Sequence, residues 1–437
     1  VLGVLRIRDY RLVAAGQLLS SLGDWLLLVA APFFVLRLTG STLATGVALA
    51  AGTVPALLIG PVAGVFADRW DRRRTMVISD LLRAGAVALM LLVHRPDQVW
   101  LIYVALVAEA SFGQFFAPAR KALIPALVGR GAQLGAANSF AALVSGTVQL
   151  VGGPIGGALY VAVGFAPVVA IDAASYLASA ILITRVSHHP ASTTEPRLAG
   201  TPPLRRFAGE LRAGVAHVRS TPGLPALFTV AAVFFVGNAA LTALLVPYIG
   251  TVLHAAAGTL GVLFAALGVG YLAGAPLSRC VAARFTTRTI AIGSLAALGA
   301  VFAATFNIHD ISWDLALFTL IGPPAVCFLV TVDTFLARST PDHLLGRVSS
   351  AYGMAGAAAT LIGMLAGAAL GQQIGIGTTM NLAAAAVAAS AAAAFLIPRG
   401  SSPDGINTNA PAPEPATSHT GTDSHPEHRD SPDNSAP

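Results

Sequence analysis

Cysteine is almost missing from this chain: among 437 residues there are only Cys280 and Cys327, each alone within an apolar stretch. Two isolated thiols exclude a disulfide framework and a cysteine-based metal site. Charge is equally sparse. Only 11% of the residues are Asp, Glu, Lys or Arg, whereas soluble domains carry about 25%. Lysine occurs once, as Lys121. There is no Gly-x-x-x-x-Gly-Lys-Ser/Thr phosphate loop, so the chain itself does not hydrolyse ATP. No His-Glu-x-x-His pair and no catalytic triad stand out, which argues against an enzyme. No metal or organic cofactor is implied.

What is present in excess is apolar residue, 55% of the chain. A bilayer core takes about 20 apolar residues of helix to cross. Its lack of hydrogen-bond partners forces such a crossing to be helical. Twelve stretches meet that length, at roughly 12–36, 44–66, 76–94, 99–119, 135–163, 167–186, 224–250, 259–279, 289–307, 313–337, 349–372 and 378–397. The chain is therefore expected to be an all-α membrane protein with no separate catalytic domain.

The net charge of +6 does not point to nucleic acid, because the basic residues sit between spans. One set of loops holds Arg6, Arg8, Arg11, Arg72, Arg73, Arg74, Arg120, Lys121, Arg205, Arg206, Arg284, Arg338 and Arg347. The alternate loops hold little beyond Arg37 and Arg95. By the positive-inside rule both termini lie in the cytoplasm. No cleavable signal peptide is visible, and residues 5–11 read as a basic lead into the first span. The Ala-, Gly- and Arg-rich composition suggests a bacterial origin, with the chain in the inner membrane.

The segment 187–223 is the longest connection and splits the chain into six spans and six. It carries a basic amphipathic stretch, Leu204–Val218, of the kind that lies on a membrane surface. The expected organisation is an N-terminal bundle (1–186), a cytoplasmic loop (187–223), a C-terminal bundle (224–397) and a Pro- and Ser-rich disordered tail (398–437). Weak echoes between the halves, Ala119-Arg120-Lys121 with Pro125 and Ala337-Arg338 with Pro341, suit the internal repeats of secondary transporters.

After the second span comes Gly64-Val65-Phe66-Ala67-Asp68-Arg69-Trp70-Asp71-Arg72-Arg73-Arg74. Here the chain resembles the major facilitator superfamily. Gly64, Ala67, Asp68, Arg69, Arg72 and Arg73 match its loop between spans 2 and 3, with Asp71 replacing the usual glycine. The resemblance implies two pseudo-symmetric six-helix bundles and a latch that holds the outward-facing state. In that latch Asp68 would meet the positive N-terminus of span 11, and the arginines would pair with acids on the facing bundle. Ser20-Ser21-Leu22-Gly23-Asp24, Pro118-Ala119-Arg120 and Leu345-Gly346-Arg347-Val348 narrow the likeness to a drug-efflux branch that includes macrolide and siderophore exporters. Gly152, Gly153, Pro154, Gly156 and Gly157 in span 5 resemble the antiporter glycine-proline motif, its proline displaced by one position. That motif implies a hinge where helices approach closely.

Ionisable residues at membrane depth cost at least about 2.5 kcal/mol at a helix centre, so they mark function. Asp24 in span 1 leads the proton-coupling candidates, followed by Glu109 in span 4 and Asp333 in span 10. Burial favours the neutral form of a carboxylic acid, which suits a proton carrier. Asp333 alternatively pairs with Arg338. Asp172 in span 6 reads as structural, and Asp80 and Arg83, three apart, as a local pair. Gln17, Phe34, Phe112, Gln149, Asn238 and Tyr352 are candidates to line a substrate cavity, since apolar sites with few polar groups suit amphipathic ligands.

The function these features imply is proton-coupled export of amphipathic drugs or antibiotics by alternating access. The alternative is a dedicated exporter of a siderophore or a self-made natural product. An importer or a non-transporting scaffold fits less well. The expected partners are the lipid bilayer, protons and a small-molecule substrate, with the chain acting as a monomer.

Overall fold

The computed structural model describes residues 2–60, 70–129, 131–187, 203–308 and 310–397. The described residues are helical, with no strand among them. The first half contains α1 (Arg8–Thr39), α2 (Thr42–Ala51), α3 (Val54–Leu58), α4 (Arg72–Ala88), α5 (Val99–Val128), α6 (Ala132–Val163) and α7 (Phe165–Thr184). A connecting helix follows, α8 (Pro203–Ser220). The second half contains α9 (Leu224–Pro247), α10 (Ala257–Ala282), α11 (Thr287–Ile308), α12 (Ile311–Arg338), α13 (Asp342–Ile374) and α14 (Ile376–Ala393).

Eleven of these helices are long and apolar enough to cross a membrane. The twelfth expected span, 44–66, coincides with the shorter apolar run Thr42–Leu58, beyond which residues 61–69 are outside the described set. Many large apolar side chains face outward, among them Leu58, Leu81, Ile181 and Leu272. In water such a surface would be unstable. Against lipid tails it is the surface expected of a helix bundle.

The halves repeat one packing scheme. α1 packs on α7 as α9 packs on α14, and α1 on α6 as α9 on α13. The pairs α4–α5 and α4–α7 recur as α11–α12 and α11–α14. Chain punctuation is local: Gly40, in the left-handed region at φ 65°, ends α1, and the Ser41 side chain accepts from Ala44 N to start α2.

The halves meet through α6 against α10 and α2 against α13. Small residues make this possible. Gly152 and Gly156 face α1, where a Cβ would stand 2.6 Å from Trp25 Cβ and 2.9 Å from Leu26 Cα. Gly153 and Gly157, one residue on, face α10, with Phe264 Cβ at 3.3 Å and the Ala257 carbonyl at 2.8 Å from such an atom. The span-5 motif is thus two glycine pairs at helical spacing, one toward each neighbour. α6 continues through Pro154 without interruption.

At the end away from most of the basic residues, Gln372 Oε1 accepts from Ser41 Oγ at 3.0 Å and Leu43 N at 3.1 Å, joining the halves. A side chain on Gly46 would meet the Ala368 methyl, and Leu36 approaches Gly250 there. The amphipathic stretch expected to lie on the membrane does form α8, and it docks on the base of the second half. The Gly214 backbone lies on the Arg347 carbonyl, and His217 Nε2 is 3.3 Å from the Ser339 carbonyl. The C-terminal tail from residue 398 lies outside the described residues.

Candidate functional site

A cavity of about 440 Å³ is lined by residues of the first half. Asp24 stands at the midpoint of α1, Arg83 on α4, Glu109 on α5, and Asp172 and Tyr176 one turn apart on α7. All five line the cavity. They come from four helices, so the site exists only once the half is packed.

Arg83 organises the cluster. Its Nε donates to Glu109 Oε1 at 2.9 Å and its Nη2 to the same oxygen at 2.5 Å. Nη2 also donates to Asp24 Oδ1 at 3.2 Å. The guanidinium carbon sits 4.1 Å from the centre of the Tyr176 ring, a cation–π contact that a planar guanidinium favours. The expected local pair with Asp80 is present but marginal: Arg83 Nη1 is 3.9 Å from Asp80 Oδ1. Arg83 is directed instead across the bundle. Two acids on other helices offer better hydrogen-bond geometry than one on its own turn.

Tyr176 closes the arrangement. Its hydroxyl contacts Asp24 Oδ1 and lies 2.8 Å from Glu109 Oε1. A phenol has one hydrogen, and an ionised carboxylate has none. If both contacts are full hydrogen bonds, one carboxyl must supply a proton of its own. The phenol thus donates to only one of the two acids at a time. Beside it, Asp172 is fully buried, and neither of its carboxyl oxygens meets a donor within hydrogen-bond geometry. The nearby Ser175 hydroxyl donates to the Asp172 main-chain carbonyl at 2.7 Å. Gly23 gives this acid its room, since a Cβ there would press on Asp172 and lie 2.5 Å from Ser175 Oγ.

The other sequence candidates divide. Gln17 lines the same cavity as Asp24 and Glu109. Asn238 lines a second cavity of about 160 Å³ in the other half, walled by Phe234, Phe235, Phe264, Phe302 and Phe318. Tyr352 packs near these rings, 5.6 Å from Phe228 and 6.2 Å from Phe235 between centroids. Phe34 lines neither cavity; it stacks on Phe165 at 4.0 Å within the first half. Phe112 and Gln149 also line neither. Asp333 is exposed on α12 in the other half, apart from the acid cluster.

Of the loop motif, Gly64, Asp68 and Arg69 lie outside the described residues. Among the described residues, Arg72 and Arg73 pair with no acid of the facing bundle. Arg72 Nη1 donates to the Ala122 carbonyl at 3.2 Å, and Arg73 to the carbonyls of Ile183, at 3.2 Å, and Thr184. The Ile183 and Thr184 carbonyls lie at the negative C-terminal end of α7, which attracts cations. Asp71, the residue in the place of the family glycine, caps α4 by accepting from Arg74 N at 2.7 Å.

Tyr176 and Arg120, the latter noted in the sequence only as a loop charge and as part of Pro118-Ala119-Arg120, also line the cavity. Tyr176 looked like any aromatic in an apolar span. Arg120, read as a loop charge, lies within α5 and faces the cavity. Its proximity to Lys121 at the end of an apolar run concealed this.

Comparison with known proteins agrees with the fold. A family model described as transmembrane secretion effector matches residues 2–422. A multidrug efflux pump, Tap, of Mycolicibacterium fortuitum is 28% identical over 385 residues, covering 84% of this chain and 90% of that protein. An uncharacterised MFS-type transporter, YfiS, of Bacillus subtilis is 26% identical over 373 residues, covering 83% and 86%. Among solved structures, a bacterial homologue of the iron transporter ferroportin in an inward-facing state superposes with a TM-score of 0.69 at 17% identity, covering 90% of this chain and 98% of that one.

Proposed function

Since the chain belongs to the transmembrane secretion effector family of the major facilitator superfamily, we propose that it exports amphipathic small molecules across a bacterial inner membrane in exchange for protons. The observation that carries the coupling is the Tyr176 hydroxyl and Arg83 guanidinium jointly holding Asp24 and Glu109 beside a cavity. Protonation of the pair weakens its hold on Arg83. Ionisation restores that hold and recharges the cavity wall. Either change biases the packing of α1 against α4, α5 and α7.

With the basic end in the cytoplasm, as loop charge favours, the Gln372–Ser41 contact lies at the periplasmic end. The structure then corresponds to a state closed to the periplasm, in which substrate enters from the cytoplasm. Opening the periplasmic end and closing the other completes an alternating-access cycle. In this reading Gly153 and Gly157 form part of the moving contact, and residues 64–73 latch the opposite state. Efflux-named relatives support the outward direction. The protein would work as a monomer.

The test is in everted vesicles energised to an acid interior. Substrate addition should dissipate the proton gradient with the intact protein and fail to do so with Asp24→Asn. Full gradient-driven export by that variant would remove Asp24 from the mechanism. A narrow response to a siderophore or natural product alone would favour the dedicated exporter instead.

A further inference from the structure

The cavity of the first half carries opposite charges at two levels. On α5, Glu109, Gly113, Ala117 and Arg120 recur at spacings of four, four and three, and all line it. They form one helical stripe. Its ends are eleven residues apart, about 16 Å of helix rise. Arg120 also borders a small adjoining pocket with Tyr10, Val13, Ala14 and Gln17. That places it beside the early turns of α1, whereas Asp24 lies seven residues, about 10 Å, beyond Gln17.

The poles differ in what they lack. Arg83 is occupied by Asp24 and Glu109. Arg120 has no ion pair among the described residues, and its buried Nε has no hydrogen-bond partner. At the acid pole three carboxyls line the cavity beside a single guanidinium. One of them, Asp172, is fully buried with both oxygens unpartnered, while the Asp24 side chain remains 37% exposed and reachable. Beyond the acids the lining turns apolar, with Leu27, Leu28, Pro32 and Leu49. The volume suits a drug-sized ligand.

We propose that this cavity is a bipolar site for an amphipathic zwitterion, its cationic end held at Asp24 and its anionic end at Arg120. A purely cationic ligand leaves Arg120 unmatched, and a purely anionic one leaves the acid pole unmatched. Buried unmatched charge opposes binding. The proposal rests on the export reading for its physiological meaning, but it concerns binding alone.

Two dyes separate the possibilities: rhodamine 19, a zwitterion, and rhodamine 6G, the same molecule with its carboxylate closed as an ethyl ester. Binding is read by fluorescence polarisation with the full-length protein in detergent. The wild type should hold rhodamine 19 at least fivefold more tightly than the ester. Arg120→Gln should abolish that preference by weakening the zwitterion about tenfold with little effect on the ester. Arg120→Lys should restore most of the preference, and Asp24→Asn should weaken both dyes. Equal or tighter binding of the ester by the wild type overturns the proposal, as does failure of the folded protein to bind either dye. The wild-type comparison stands even if a variant does not fold. Equal dye binding with gradient-driven export intact would sink the bipolar site alone. Loss of gradient coupling with the dye preference intact would sink the export reading alone.

Discussion

The Tyr176 hydroxyl stands between Asp24 and Glu109, touching an oxygen of each, although the three residues belong to α7, α1 and α5. One phenolic hydrogen faces two acids, so in the proposed cycle the proton count of the pair would be linked to the packing of three helices. Tyr176→Phe keeps the ring over Arg83 and removes only the hydroxyl. Gradient-driven export should fall at least tenfold while thermal unfolding in detergent shifts little. Wild-type coupling in this variant would show that the hydroxyl is dispensable.

Arg83 is the cation shared by Asp24, Glu109 and Asp80. Removing one partner of a buried ionic cluster costs about 3–5 kcal/mol. Arg83→Gln should therefore unfold at markedly lower temperature, and adding Glu109→Gln should recover part of the loss. A double variant no more stable than Arg83→Gln would mean the two do not interact as the geometry indicates.

The adjacent glycines of α6 should separate two effects. Gly156→Ala presses on the α1 backbone within one half, so it should lower stability by about 1–3 kcal/mol. Gly157→Ala presses on the α10 backbone of the other half, so it should favour the state in which the halves part at that end. An impermeant maleimide on Thr42→Cys, in a Cys280→Ser/Cys327→Ala background, reads the second effect. Faster labelling is expected for Gly157→Ala than for Gly156→Ala, and equal rates would refute the assignment of faces.

Gln372 joins the halves through Ser41 and Leu43. Two hydrogen bonds at about 0.5–1.5 kcal/mol each correspond to a total of about 1–3 kcal/mol. Gln372→Ala should thus raise the population open at that end roughly 5- to 150-fold, read by the same labelling. An unchanged rate would show that the contact does not hold the halves together.

The spans were legible because lipid imposes a length and an apolar composition that no other environment requires. Asp24 and Glu109 were legible because a charge inside an apolar run has few structural excuses. Their partners were not. Arg83 and Tyr176 reach them across helices, and helix rotation about its axis is set by packing that a one-dimensional pattern does not contain. Phe34 and Phe112 illustrate the same gap: an apolar ring in a span is equally compatible with core, lipid and cavity. Arg120 was obscured by position, since a cation near the end of an apolar run satisfies the positive-inside rule whether it faces water or the cavity.

The central claim is that Asp24 links proton movement to export. Everted vesicles, energised to an acid interior and loaded with a pH-quenched dye, test it most directly against a panel of macrolides, tetracyclines, cationic dyes and siderophores. The account predicts dequenching by at least one class with the intact protein and none with Asp24→Asn at equal membrane abundance. Equal dequenching by both proteins would contradict it.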